Sequence, residues 1–302
     1  MIVTDREGAG DLADPAPPGT AAVDVVVVTY NSADDIHACL AAVRRAPAVG
    51  SVTVVDNAST DASVTASRAL AGEVLPLRHN IGFGAAQNLG ADRGASPFVL
   101  ILNPDAVIEC RALELGLSHL EAHPGVAAVQ GEIRRAEDGG LERSSGPEPG
   151  LADFASRAFH LRERLGERRL AWLARRCGAA YFADRAVAAV EEVDFLAAVA
   201  LLVRRDALES VAGFDERFFL YAEDIDLCVR LRGRGWHLHR LPGPWATHVG
   251  GASSVSDRGR QRRRWWDAHL QLVDRHWVGP RRLTGRALGH LGRTLDGRRS
   301  WT

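Results

Sequence analysis

Three apolar runs in this chain stop abruptly at Asn or Asp, and no other feature limits its fold as tightly. Val23 to Val28 ends in Thr29-Tyr30-Asn31-Ser32, Val52 to Val55 ends in Asp56-Asn57-Ala58-Ser59-Thr60-Asp61, and Phe98 to Leu102 ends in Asn103-Pro104-Asp105. Short, continuous, β-branched stretches of this kind read as strands buried on both faces. Helical spacing lies between them. It covers Asp34 to Arg45 (Ile36, Leu40 and Val43 on one face), a helix starting at Ser59 or Thr60, and Ala85 to Arg93 after a Gly/Asn-rich loop from Asn80 to Gly84. Ala112 to His123 reads as a further helix and Val126 to Gln130 as a further strand. Strands alternating with helices predict an α/β fold, a mostly parallel central sheet flanked by helices and joined by right-handed crossovers. Such sheets bind ligands beyond the carboxyl ends of their strands. Any one of these polar clusters also suits a turn or a helix cap, with Asn31 or Ser32 capping the first helix. Three clusters delivered to one edge point to a site.

The rest of the chain divides by composition. Residues 1–22 are acidic and Pro/Gly-rich and read as a disordered leader. Residues 23–253 read as one catalytic-sized α/β domain, interrupted at 132–192 by a variable insert with a Gly/Pro/Ser-rich loop at 137–150. An Arg-rich stretch follows at 153–176, with Phe154, Leu161, Leu165 and Trp172 at helical spacing; regular structure resumes at Val193. The most apolar window, Phe195 to Val203, is far shorter than the roughly 20 residues a membrane-spanning helix needs. Cys39, Cys110, Cys177 and Cys228 form no C-x-x-C pair, which fits a reduced, cytoplasmic setting with neither a disulfide framework nor a zinc site. All 37 basic residues are Arg, so lysine Schiff-base chemistry and a P-loop lysine are excluded.

Residues 254–302 read as a basic, amphipathic helical extension. From 257 onward they carry twelve Arg against four Asp, a charge of +8, which leaves −9 for the remainder of a chain whose net charge is −1. Arg258 to Arg264, Trp265-Trp266 and then Leu270, Val273 and Trp277 allow two readings. One is a helix packed on the domain with a solvated Arg face. The other is a peripheral membrane contact through 258–299, which would bring the protein to the inner face of the plasma membrane. The acidity of the rest of the chain argues against nucleic acid as a partner.

The glycine segment Gly82-Phe83-Gly84-Ala85-Ala86-Gln87 lacks the third glycine of G-x-G-x-x-G and follows the second strand rather than the first. Asp56 does sit where a ribose-binding acid would, so a nicotinamide-dependent oxidoreductase is only partly supported. A different resemblance accounts for more of the chain. Val25-Val26-Val27-Val28-Thr29-Tyr30-Asn31-Ser32, Val55-Asp56-Asn57-Ala58-Ser59-Thr60-Asp61, Asn80-Ile81-Gly82-Phe83-Gly84 with Asn88, and Leu102-Asn103-Pro104-Asp105 resemble family 2 glycosyltransferases. So do Gly213-Phe214-Asp215-Glu216-Arg217-Phe218-Phe219, Glu223-Asp224-Ile225-Asp226-Leu227 with Arg230, and His248 with Gly250, Gly251 and Ser253. The branch most resembled is that of bacterial rhamnosyltransferases using dTDP-rhamnose.

The resemblance implies a GT-A fold and an inverting, metal-dependent transfer of a sugar, L-rhamnose first among candidates, from a nucleotide-sugar donor to a lipid-linked or polysaccharide hydroxyl. The alternatives are another UDP- or GDP-sugar donor, or a non-catalytic sugar-nucleotide or glycan-binding paralogue. On this reading Asp56 meets the pyrimidine, Thr29 and Tyr30 line its pocket, and Asn80, Gly82 and Gly84 border ribose and diphosphate, with Asn31, Asn57 and Asn88 completing the donor side. Asn103 stands at the softened first position of an Asp-x-Asp motif. Asp105 and His248 are the implied ligands of Mg²⁺ or Mn²⁺. Asp224 is the implied base for the acceptor, its pKa raised by Glu223, Asp226 and Asp215. Glu223, Arg230 and Ala198 lie on the acceptor side. Ala198 stands where the family usually has glycine, a departure that adds bulk near the sugar.

Overall fold

The computed structural model describes residues 23–161, 185–250 and 258–297, with five positions between 164 and 172. Its centre is a nine-stranded sheet in the order β3-β2-β1-β4-β10-β6-β11-β5, with β8 paired to β11. The strands are β1 (Val23–Thr29), β2 (Val49–Asp56), β3 (Glu73–Pro76), β4 (Phe98–Leu102), β5 (Ala106–Ile108), β6 (Val126–Arg135), β8 (Glu191–Glu192), β10 (Ala200–Arg204) and β11 (His237–His248). A separate ribbon pairs β7 (Ser145–Gly146) with β9 (Phe195–Leu196). Strands β3, β2, β1 and β4 run parallel. β10 runs antiparallel to β4 and β6, and β11 parallel to β6. Every residue of β1 and β4 is buried, as expected of strands covered on both faces.

Helices α1 (Ile36–Val43), α2 (Ser63–Arg68), α3 (Phe83–Ala91) and α4 (Cys110–Ala122) follow the strands as the spacing implied, with shifted ends. Asn31 and Ser32 do not cap α1 with their side chains; Asp35 stands at the cap position, and the Ser32 carbonyl accepts from Asp35 and Ile36 N–H. Further along lie α5 (Leu151–Ala158), α6 (Arg205–Ser210), α7 (Glu223–Gly233), α8 (Arg258–His276) and α9 (Gly279–Gly297). Of the residues singled out by sequence, Cys177, Gly251 and Ser253 lie outside the described residues.

The basic extension packs on the domain. Trp266, Val273 and Trp277 of α8 and its C-terminal flank bury against Phe154 and Ala158 of α5, and Ala268 and Leu272 join the core under the sheet. Glycines let α9 approach closely: a Cβ at Gly285 would meet Trp277, one at Gly289 would meet Leu270, and one at Gly292 would meet Trp266. The indole N–H of Trp266 donates to Asp296 at 2.8 Å. The surface that sequence alone left open to lipid is therefore, on α8, an interior.

At the end of β1 remote from the polar clusters, Asp24 is buried and accepts from Ser51 Oγ (2.6 Å), Ser96 N–H (2.7 Å) and Arg205 Nη2 (2.7 Å). Burial opposes its ionisation, yet these bonds hold its carboxyl below the usual carboxylate range. Its stabilisation is thus present above the ordinary aspartate pKa and fades as pH falls through the lowered one. Asp24→Ala leaves Arg205 uncompensated and is expected to cost about 3–5 kcal/mol, as removal of one partner of a buried pair does. Nucleotide affinity measured on the surviving folded fraction should be unchanged, because the cluster sits at the opposite sheet edge.

Candidate active site

Register brings the clusters together. Thr29 faces Asp56 across β1 and β2, and Val27 faces Leu102 across β1 and β4, so all three strands finish at one edge. There Thr29 Oγ1 donates to Asp56 at 2.9 Å, and Asp56 also accepts from Ser59 N–H at 3.0 Å. Both acid and hydroxyl are buried. Asn31, held at a φ of 54°, accepts from Thr60 N–H, while Ser59 Oγ accepts from Asn31 N–H. Tyr30 beside them remains 45 % exposed. Asn57 reaches the glycine loop, donating to Gly82 O at 3.0 Å and accepting from Ile81 N–H at 2.8 Å, and Asn80 accepts from Gly82 N–H.

The next element is a chain of acid, imidazole and acid. Asp105 Oδ1 lies 3.1 Å from His248 Nε2, and Glu142 Oε2 lies 2.7 Å from His248 Nδ1. The β11 and β5 pairing sets His248 opposite Ala106, one residue from Asp105. Asn103 Nδ2 approaches His248 Nε2 at 3.5 Å. Burial disfavours the imidazolium, but the two carboxylates outweigh it and push His248 up to about 10; the same contact overcomes burial to hold Asp105 low.

Asn103 N–H donates to Val199 O, so the turn before β10 lies at the same edge. In that turn Ala198 N–H approaches Asp224 Oδ2 at 3.4 Å. Asp224 opens α7 beside Glu223, after Tyr221 and Ala222, which both have positive φ. Glu223 is buried with Oε2 unpartnered. Burial pushes both carboxyls upward, and the charge of Asp224 pushes Glu223 further.

A family model described as "Glycosyltransferase like family 2" matches residues 18–268, most of the chain. The chain is a family 2 glycosyltransferase. A relative from Mycobacterium tuberculosis, "N-acetylglucosaminyl-diphospho-decaprenol L-rhamnosyltransferase", is 30% identical over 287 residues, covering 88% of this chain and 89% of its own. "Rhamnosyltransferase WbbL" of Escherichia coli is 46% identical over 56 residues, 18% of this chain and 21% of its own. Among solved structures, a mannosyltransferase from Pyrobaculum calidifontis in complex with GDP-Man and Mn²⁺ superposes with a TM-score of 0.59 at 18% identity, covering 94% of this chain and 72% of that one. S. aureus TarS 1-349 in complex with UDP-GlcNAc gives 0.52 at 16% identity, covering 91% and 71%. These neighbours establish the GT-A fold for this transferase.

Several residues of the transferase have protein partners that the sequence did not imply. Asn88, expected at the donor, has its amide spent on Phe214, accepting from its N–H at 2.8 Å and donating to its carbonyl at 2.9 Å. Gly82 and Gly84 pack against the same returning segment. At Gly82, with a φ of 92°, a Cβ would stand 2.7 Å from Phe219 O, and at Gly84 it would stand 2.8 Å from Phe214 Cβ. Arg230, expected on the acceptor side, donates to Asp226 and to the carbonyls of Val211 and Gly213. Asp226 and Asp215 do not contribute to the raised pKa of Asp224, which comes from burial. Asp226, 0% exposed, is bound by Arg230, Arg275 and His276, and Asp215 by Arg217 and Arg275. Glu142, Arg275 and His276 were not marked by any local pattern, because their partners lie about a hundred or about fifty positions away.

Proposed function

We propose that this transferase moves L-rhamnose from dTDP-rhamnose to a lipid-linked sugar hydroxyl with inversion at the anomeric carbon. The carrying observation is the convergence at one sheet edge of a buried Asp56–Thr29 pair, the Asp105–His248 pair and the burial-raised Asp224. The rhamnosyl donor and lipid-linked acceptor are supported by the name of the Mycobacterium tuberculosis relative, which aligns along nearly the whole of both chains. Asp56 and Tyr30 would engage the pyrimidine, one by hydrogen bonding and one by stacking. Asp224, positioned by Ala198 N–H and Ile225 N–H, would take the acceptor proton. One base and no enzyme nucleophile suffice for inversion.

A divalent cation fits the donor set. Among the described residues no three His, Cys, Asp or Glu side chains form a ready cage. Such ions at phosphate sites, however, commonly take only one or two protein donors, leaving the rest to phosphate and water. Asp105 and His248 supply one carboxylate and one imidazole, a pairing that favours Mn²⁺ over Mg²⁺. When bound, the ion would neutralise the departing diphosphate.

No described helix is long and apolar enough to cross a membrane. The outer face of α9 and its flank keep Val278 and Leu283 81% and 71% exposed beside Arg281, Arg282 and Arg286, which pair with Glu148 and Asp274, and this is the surface that would meet anionic lipid.

Thermal melts with dTDP-, UDP- and GDP-sugars in Mn²⁺ test the donor. A ligand at 100 times its Kd stabilises by about 2.7 kcal/mol, and dTDP-rhamnose is expected to give the largest rise. Stabilisation by a nicotinamide dinucleotide and by no sugar nucleotide would overturn the proposal.

A further inference from the structure

We propose that Glu142 is a positioning residue that fixes the His248 imidazole so that Nε2 is the nitrogen offered to a divalent cation. This rests on the reading that Asp105 and His248 hold that cation. The geometry is explicit. Glu142 Oε2 sits 2.7 Å from Nδ1, and the opposite ring nitrogen faces Asp105 at 3.1 Å and Asn103 at 3.5 Å. An imidazole's second hydrogen bond decides which nitrogen keeps its proton and which donates a lone pair, and it sets the ring plane. Glu142 accepts from Nδ1–H, which leaves Nε2 for the metal.

Glu142 is itself held in place. Its N–H donates to Ile133 O at 2.8 Å, and the loop before it is bound by Arg135 N–H to Gly140 O (2.8 Å) and Arg135 Nη1 to Leu141 O (2.6 Å). Ala136 N–H donates to His248 O at 2.9 Å, so the ends of β6 and β11 and the 137–142 loop form one braced unit around the ring. The loop that reads as a Gly/Pro/Ser-rich break in the sequence is thus the arm that carries an acid to the far side of His248.

The test is Mn²⁺ binding by the full-length chain, followed through the EPR signal of free Mn²⁺ with and without dTDP. Glu142→Leu is expected to weaken Mn²⁺ about 10–100-fold. Glu142→Gln, whose amide oxygen still accepts from Nδ1–H, is expected to restore most of the affinity. Should the Leu variant fail to fold, Glu142→Asp takes its place, because it keeps the charge but withdraws the carboxylate by one methylene, and the same loss is expected. Wild-type affinity in the Leu or Asp variant, or an equal loss in the Gln variant, overturns the inference. His248→Ala separates the two levels. If it too binds Mn²⁺ as wild type does, the cation reading falls and takes the inference with it. If it weakens binding while Glu142→Leu does not, the inference alone falls.

Discussion

Asp224→Asn is expected to cut the transfer rate by roughly 10²–10⁴-fold, the usual contribution of a general base, with nucleotide binding unchanged. The amide preserves shape, and its single oxygen still accepts from Ile225 N–H, the shorter of the two bonds that Ile225 N–H and Ala198 N–H make to the carboxylate. It cannot take a proton. Steady-state kcat together with a thermal shift by dTDP separates the two quantities, and retained turnover would refute the role. The pH profile carries the same signature. Asp224 acts only when ionised, and burial raises its pKa, so the rate climbs with pH through a limb displaced above the ordinary aspartate value of about 3.9. Because Glu223 shares the buried site, that limb belongs to the pair rather than to one residue. The stability sign is opposite. Carboxyls whose folded pKa is raised contribute most below their unfolded pKa, and that contribution is lost as pH rises through the raised values. At neutral pH the asparagine variant should therefore melt no lower than the parent, the familiar trade of stability for function. A limb at the ordinary aspartate value would remove the buried-base account.

The second large effect is expected at Asp226, whose carboxylate is closed off from solvent. It is fully buried and binds Arg230 at 2.7 Å, Arg275 at 2.9 Å and His276 at 2.7 Å. Asp226→Ala strands the two guanidiniums and the imidazole without their shared acid. The expected cost is about 3–5 kcal/mol, or on the order of 10 °C in melting temperature. Activity should fall alongside, because Asp226 lies two positions from Asp224 on α7, and Arg275 and His276 from α8 hold that helix against the domain. Arg275→Met tests the same clamp from the other side and should show a smaller loss, since His276 and Arg230 still serve Asp226. An unchanged melting temperature in the alanine variant would show that α8 is held by its tryptophans alone.

What the sequence made legible was local. Each of β1, β2 and β4 closes on a short apolar, β-branched stretch stopped by polar residues, and that pattern fixes both the strand and the edge to which Thr29, Asp56, Asn103 and Asp105 are delivered. β11 was hidden because Pro242, Gly243 and Pro244 break its pattern. It accommodates them in a register shift between Arg240 and Pro244, where the ladder to β6 skips. β3, β5 and β8 are four residues or fewer, too short to show a period. Asn88 and Arg230 look the same in sequence whether they face a ligand or brace a loop, and only the return of residues 211–216 decides it. The tryptophan- and arginine-rich tail was ambiguous for the same reason, since composition does not say which surface an amphipathic helix covers.

The clamp on α7 also sets an order of assembly. The carboxylates at 215 and 226 are synthesised well before Arg275 and His276, which bind them. A nascent chain that has finished the sheet still carries a helix with its charges unmatched. Chain growth past α8 is what closes this circuit, so the enzyme should gain its catalytic power only once residues 275 and 276 have left the ribosome.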